Sequence, residues 1–397
     1  MKIAFVTDDL KGSSNGIYAS AYRYAQKLRE LGHDVNLVGY GASGTDAFPV
    51  PMREIPVVTP IASTCGFTFG EPHEEIFSKA FADVDIIHLF LPFTLEVEAL
   101  LWAREHRIPV SAAFHLQPQN MTYNAGFGAA TGLSDAIFSY FKHRLYKHVT
   151  HIQCPSQMIK GQLEEHGYQS CLHVISNGVP EKFKPRVGAR FNDGKTHIVT
   201  VGRLAPEKNQ ATILEGVAQS RYKDAIVLHV CGQGNLERDL RLQAQELGIN
   251  CEFGFYSEDE LLELEQKCSL YIHASVADIE AMGVTEALSA GAIPIIGRAA
   301  LSAPSAYALC EESLFDAQDP HELALRIDWW LDHPTEQTAW AAAYQEEAKT
   351  LSLTTCVQKF LEMEELAIEN DLEAYALQNH FLPEPSALHQ FFRRRIN

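Results

Sequence analysis

The 397-residue chain is short of positive charge: 32 Lys and Arg stand against 51 Asp and Glu, a formal net charge of -19. A duplex-binding protein carries a basic excess, so nucleic acid is excluded as the partner, although a local basic patch for one anionic small molecule remains open. No run approaches the ~20 apolar residues that a membrane-spanning helix needs. The first ten residues lack the apolar core of a signal peptide and include Asp8 and Asp9, so a cytoplasmic location is expected. Eight cysteines are scattered without a C-x-x-C pair, which argues against a disulfide framework or a zinc site. The 17 histidines form no H-E-x-x-H, so no metal cofactor is expected. Neither G-x-G-x-x-G nor G-x-x-x-x-G-K-[ST] follows the first strand, which removes the nicotinamide and P-loop readings.

The chain does have ordinary globular composition, 46% hydrophobic, over a length beyond the ~250–300 residues at which single cores stop growing. Two domains are expected. Apolar runs at 2–7, 35–40, 86–90, 110–114, 152–154 and 171–175, with an amphipathic helix over 19–31, alternate as βαβ units do. A Pro- and Gly-bearing stretch without periodicity, 181–196, reads as a linker between a first domain, 1–180, and a second, 197–369. Strands at 197–201, 225–231, 251–255, 269–273 and 293–296 open and continue the second α/β series. The implied architecture is two doubly wound domains separated by a cleft. The stretch from 353 is helical with a break at Pro383 and Pro385, and its part from about 370 to 397 is expected to pack back on the first domain.

Three segments could carry chemistry. The loop Gly12-Ser13-Ser14-Asn15-Gly16 joins a strand to a helix, and backbone amides at a helix start favour an anion. Arg203 and Lys208 leave the end of a strand, where such sheets bind ligands; the pair suits a diphosphate, with a salt bridge from Arg203 to Glu207 as the plain alternative. Asp278, Glu280 and Glu286 fall in and before an apolar helix stopped by Gly291. Acids at a helix start complement its dipole, which accounts for Asp278 and Glu280 but not for Glu286. Carboxylates eight residues apart could instead accept hydrogen bonds from sugar hydroxyls. Asp83-Val84-Asp85 matches a metal-binding D-x-D, but it precedes a strand, at the edge away from the ligand cleft, and is set aside. Residues 133–149 read as one basic amphipathic helix, with Lys142, His143, Arg144, Lys147 and His148 beside an apolar stripe. Such a helix either packs on the sheet or lies in a membrane interface.

In this order, these segments resemble the retaining GT-B glycosyltransferases of the group 1, or family four, type. The resemblance rests on Gly16, Ser176-Asn177-Gly178-Val179, Gly202-Arg203-Leu204-Ala205-Pro206-Glu207-Lys208-Asn209, Gly232-Gln233-Gly234 and the acidic segment ending Glu286-Ala287-Leu288-Ser289-Ala290-Gly291. It implies two Rossmann-like domains facing each other across a cleft. Arg203 and Lys208 would bind the donor's diphosphate, Glu286 the ribose hydroxyls, Asp278 or Glu280 the donor sugar, and Gly16, Gly283 and Val284 would line the donor site. By the same resemblance His115, an isolated histidine at a strand end, reaches the donor sugar and the reaction centre. Asp278 stands where the family has Glu, and Asp278-Ile279-Glu280-Ala281 together with Leu116-Gln117-Pro118-Gln119-Asn120 are similar to the bacterial glycolipid-synthesising branch. The implied function is hexosyl transfer from a nucleotide-diphospho-sugar, expected to be UDP-linked, to a hydroxyl acceptor with retention and without a metal. A diacylglycerol-type lipid acceptor and peripheral contact with an anionic membrane are part of that expectation. A sugar-nucleotide epimerase on the same fold and a non-catalytic nucleotide-sugar binder are the rival readings.

Overall fold

Alternation of apolar runs with amphipathic helices resolves into two parallel sheets in the computed structural model, which describes residues 1–11, 16–56, 58–64, 66–124, 126, 128 and 131–378. In the first half the strands are β1 (Lys2–Asp9), β2 (Asp34–Tyr40), β3 (Ala47–Val50), β4 (Met52–Arg53), β5 (Phe69–Gly70), β6 (Ile86–Leu89), β7 (Val110–Ala113), β8 (His151–Cys154) and β9 (Cys171–Val174). In the second they are β10 (Thr196–Val201), β11 (Ile226–Cys231), β12 (Cys251–Gly254), β13 (Leu270–His273), β14 (Ala277–Asp278), β15 (Ile293–Arg298), β16 (Leu301–Ser302) and β17 (Leu314–Asp316). Seven strands form the first sheet in the order β3-β2-β1-β6-β7-β8-β9, and six form the second in the order β12-β11-β10-β13-β15-β17.

Each order reverses direction once, beside β1 in the first sheet and beside β10 in the second. Doubly wound sheets bind ligands outside the carboxyl ends of strands at such a reversal. The segments leaving β1, β10 and β13 are therefore the ones topology selects. They contain Gly16, Arg203 with Lys208, and Asp278.

Local sequence explains the flanking helices. Gly16–Glu30 buries Ser20, Ala21, Tyr24, Ala25 and Leu28 at three- and four-residue spacing, one stripe facing the sheet. Met282–Ala290 is apolar nearly all round and stops at Gly291, whose φ of 101° suits a glycine cap. The chain then crosses back. Within Leu353–Gln378, Val357, Phe360, Met363 and Ala367 join Ile3, Phe5 and Tyr24 in one apolar cluster. The return thus begins at Leu353, ahead of the expected 370, because the apolar stripe starts there. Under it, His88 Nδ1 and Glu364 Oε1 meet at 2.9 Å, and Ser111 Oγ donates to Glu364 at 2.8 Å, all buried.

The expected single helix over 133–149 is two pieces. Thr131–Arg144 is α-helical, Leu145 departs at φ -133°, and Tyr146–His148 forms a tight turn. Tyr146 causes the break by turning inward to donate to Ala113 O at 2.9 Å, while Phe138 and Phe141 pack into the first-domain core. Lys142 Nζ donates to His166 O, Arg144 Nη2 to Thr94 Oγ1, and His143 Nδ1 lies 2.7 Å from Ser139 O, so at least three of the five basic side chains are held by the protein itself. Asp85 of the D-x-D sequence accepts from Lys2 N at 2.7 Å, a local tie between strand ends. Residues 12–15, with most of the first loop, and 379–397, with Pro383 and Pro385, lie outside the described residues. Among the described residues no helix is long and apolar enough to cross a membrane, and no cluster of metal-ligating side chains occurs.

Candidate active site

A cleft of about 1500 Å³ opens between the two sheets and is lined from both domains. Typical small-molecule sites span ~300–1,000 Å³, so the cleft is larger than a single small molecule needs. Gly16, Arg23, His115 and Asn177 reach it from the first domain; Arg203, Lys208, Asp278, Glu280, Gly283 and Glu286 reach it from the second.

The loop after β10 is built on close backbone packing. A Cβ at Gly232 would fall 2.0 Å from Gly202 O, and one at Gly234 would fall 2.1 Å from Leu204 O, so both positions require glycine. Leu204 N donates to Gln233 O at 2.9 Å, and Gln210 Nε2 donates to Arg203 O at 2.9 Å. This scaffold aims two cations at the cleft. Arg203 Nη2 lies 2.5 Å from Glu207 Oε1, the salt bridge foreseen as the alternative to phosphate binding, yet its side chain remains 38% exposed on the cleft. Glu207 is buried, so the pair anchors the guanidinium at its base. Lys208 Nζ is bonded to Asp278 Oδ2.

The acids divide by partner. Asp278 Oδ1 accepts from the amides of Glu280 at 3.3 Å and Ala281 at 3.0 Å, while Oδ2 faces Lys208 and, at 3.3 Å, His273 Nε2. Burial opposes its charge, but Lys208 and His273 overcome that and hold the carboxyl far below the usual carboxylate range. Ala281, at φ 60°, takes a left-handed conformation unfavourable for a residue with a Cβ, turning the chain into the helix Met282–Ala290. Glu280 points elsewhere. Its carboxylate accepts from Asn177 N at 3.1 Å and Asn177 Nδ2 at 2.5 Å, across the domain boundary. Burial pushes its pKa up to about 7 despite these bonds. Glu286 is also buried, and Arg23 Nη1 from the first domain lies 2.7 Å from its Oε1.

His115 is 7% exposed, stacked on Phe90 at 5.5 Å, and its Nε2 has no hydrogen-bond partner among the described residues. Burial lowers its pKa to about 3, so the ring that lines the cleft is neutral near pH 7. Gly283 lines the cleft, and a Cβ there would meet Tyr271 Oη at 2.5 Å. Gly16 also lines it, with no atom of the described residues within 4 Å of where a Cβ would stand. Val284 is a correction: its side chain lies in the second-domain core and its amide donates to Ala281 O, so it does not face the cleft as expected.

Sequence reasoning missed Arg23, Asn177, His273 and Gln117, whose Nε2 donates to Leu301 O of the other domain at 3.2 Å. Asn177 stood in a quoted motif without a role. Gln117 likewise stood in a quoted motif without a role, and nothing local in the sequence marks Arg23 or His273.

Two doubly wound domains that face each other across a cleft, with cations and acids leaving the strand ends, define the GT-B class. The sequence profile described as Glycosyl transferases group 1 matches residues 182–347, and that described as Glycosyltransferase Family 4 matches residues 14–183. The chain belongs to this glycosyltransferase family. It is 25% identical over 321 residues to alpha-monoglucosyldiacylglycerol synthase of Streptococcus pneumoniae, covering 75% of this chain and 70% of that protein. It is 26% identical to a GDP-mannose-dependent alpha-mannosyltransferase of Corynebacterium glutamicum, covering 87% and 84%. Sucrose-phosphate synthase of Thermosynechococcus elongatus shares the fold with a TM-score of 0.74 at 15% identity, over 93% of this chain and 99% of that one.

Proposed function

We propose that this glycosyltransferase moves a hexosyl group from a UDP-sugar to the hydroxyl of a diacylglycerol-type lipid, with retention at the anomeric carbon and without a metal, from the cytoplasmic side of a membrane. The observation that carries the reading is the placement of Arg203 and Lys208 at the strand reversal, on the same cleft as Asp278 and Glu286. The glucosyldiacylglycerol synthase among the relatives supports the lipid acceptor and the glucosyl group. The GDP-mannose-dependent mannosyltransferase favours a second donor, GDP-mannose, at the same site.

Chemically, the bond from the anomeric carbon to the donor phosphate breaks as the acceptor oxygen bonds the same face of that carbon. The acceptor's proton passes to the leaving phosphate oxygen. Arg203 and Lys208 stabilise the charge growing on that phosphate, in place of a divalent cation. Asp278 holds Lys208 in place, Glu286 accepts from the ribose hydroxyls, and neutral His115 contacts the donor sugar. Closure of the domains excludes water and limits donor hydrolysis. Exposed Leu133 and Tyr140, beside His143 and Lys147, form the face that would touch an anionic bilayer.

Turnover with UDP-glucose, UDP-galactose and GDP-mannose, each with and without EDTA, tests the donor and metal assignments together. EDTA-resistant turnover with a UDP-sugar is expected. Turnover restricted to GDP-mannose overturns the base assignment, and loss in EDTA overturns the metal-free mechanism.

A further inference from the structure

Glu286 belongs to the second domain, yet the cation that holds it comes from the first. Arg23 Nη1 lies 2.7 Å from Glu286 Oε1, and Arg23 Nη2 donates to Glu258 Oε2 at 2.8 Å. The Arg23 and Glu286 side chains are 13% and 8% exposed, so water screens the pair little. The other groups facing Glu286 are mainly acidic or neutral: Glu258 and Glu265 from the helix Glu258–Lys267, and Tyr271 from β13. Lys182 of the linker is the other cation nearby, and it is held by Glu258 at 2.7 Å and Asp259 at 2.6 Å. Burial therefore drives Glu286 toward its neutral acid, and Arg23 is the chief group opposing that.

The protonation state matters for a sugar. An ionised carboxylate accepts from both hydroxyls of a diol, whereas a neutral acid must donate one proton and loses part of that capacity. With Oε1 held by the guanidinium, Oε2 is the oxygen left to accept. We infer that Arg23 is a positioning residue for the donor: it keeps Glu286 ionised and fixed in the ribose subsite, and because it rides on the opposite domain it couples donor binding to closure of the cleft. The inference rests on the ribose role given to Glu286 above. The opposite use of the same contact is competition, in which Arg23 would occupy the carboxylate at the donor's expense.

Calorimetric titration with UDP, GDP and ADP, at pH values from about 6 to 9, separates these outcomes. The tightest nucleotide is carried through Arg23→Met, Arg23→Lys and Glu286→Gln. Arg23→Met should weaken binding severalfold near pH 6, since removing the guanidinium leaves burial to favour the neutral form of Glu286. The deficit should shrink toward pH 9 as Glu286 ionises unaided, and Arg23→Lys should restore most of the affinity. If Glu286→Gln binds nucleotide as the wild type does, the ribose role falls and the inference with it. If Glu286→Gln binds weakly but Arg23→Met binds as well as or better than the wild type, or worse by a factor independent of pH, the inference alone is overturned. Binding of none of the three nucleotides overturns the donor reading itself.

Discussion

Removing Lys208 should damage the fold as well as the chemistry. Its partner Asp278 is buried, and deleting one member of a buried ion pair costs ~3–5 kcal/mol when nothing else compensates. Asp278 keeps the amides of Glu280 and Ala281 and the ring of His273, and the Lys208 side chain is 22% exposed. The expected loss for Lys208→Ala is therefore about 2 kcal/mol. At ~2–4 °C per kcal/mol for a domain of this size, the second-domain transition should fall by about 4–8 °C in scanning calorimetry. The sign with pH follows from the depressed carboxyl. Asp278 contributes stability above its unfolded pKa of ~3.9, and that contribution is lost as pH falls toward the folded value. The gap between wild type and Lys208→Ala should be full at neutral pH and narrow below about pH 4. Adding Asp278→Asn should recover part of the loss, because no buried charge is then left unpaired. Equal melting of Lys208→Ala and wild type, at neutral pH, would mean that the Lys208–Asp278 pair adds nothing to stability and leave Lys208 with a purely chemical role.

Arg203→Ala should raise the transfer barrier by about 2–4 kcal/mol, read from kcat/KM, with less effect on melting than Lys208→Ala because the guanidinium is 38% exposed. Because burial keeps His115 neutral down to about pH 3, the rate profile should show no limb between about pH 5 and 8 that His115→Ala removes; such a limb would mean the ring titrates during turnover. Co-sedimentation with anionic vesicles should occur at low salt, weaken at high salt, and be reduced in a Tyr140→Ser, Lys147→Ala variant; a wild type that stays in the supernatant at low salt removes the membrane contact.

The parts of this molecule that were legible in sequence are those set by local pattern. The alternation of apolar strands with periodic helices pointed to two α/β series, and Arg203 and Lys208 were legible as cations just past a strand end, whereas the reversal at β10 appears only in the strand order. Contacts between distant segments left no such trace. Glu280 and Asn177 are 103 residues apart, and each reads by itself as an ordinary polar residue near a turn. Arg23 lies beside the buried stripe of its helix, where any solvated cation could sit. Val284 was misplaced because spacing along a motif does not say which side of a helix faces the core. The helix over 133–149 was drawn too long because Tyr146, counted as part of a continuous helix, turns inward to reach a strand carbonyl.

Glycosyl transfer to a lipid hydroxyl with retention is decided by the identity of the product. Nucleotide-sugar labelled with carbon-13 at the anomeric carbon is incubated with the protein and vesicles containing diacylglycerol, and the lipid fraction is examined by nuclear magnetic resonance. A labelled glycolipid whose anomeric configuration matches that of the donor is expected. An inverted product would contradict the retaining mechanism, and an epimerised sugar nucleotide or free sugar with no label in the acceptor would contradict the transfer itself.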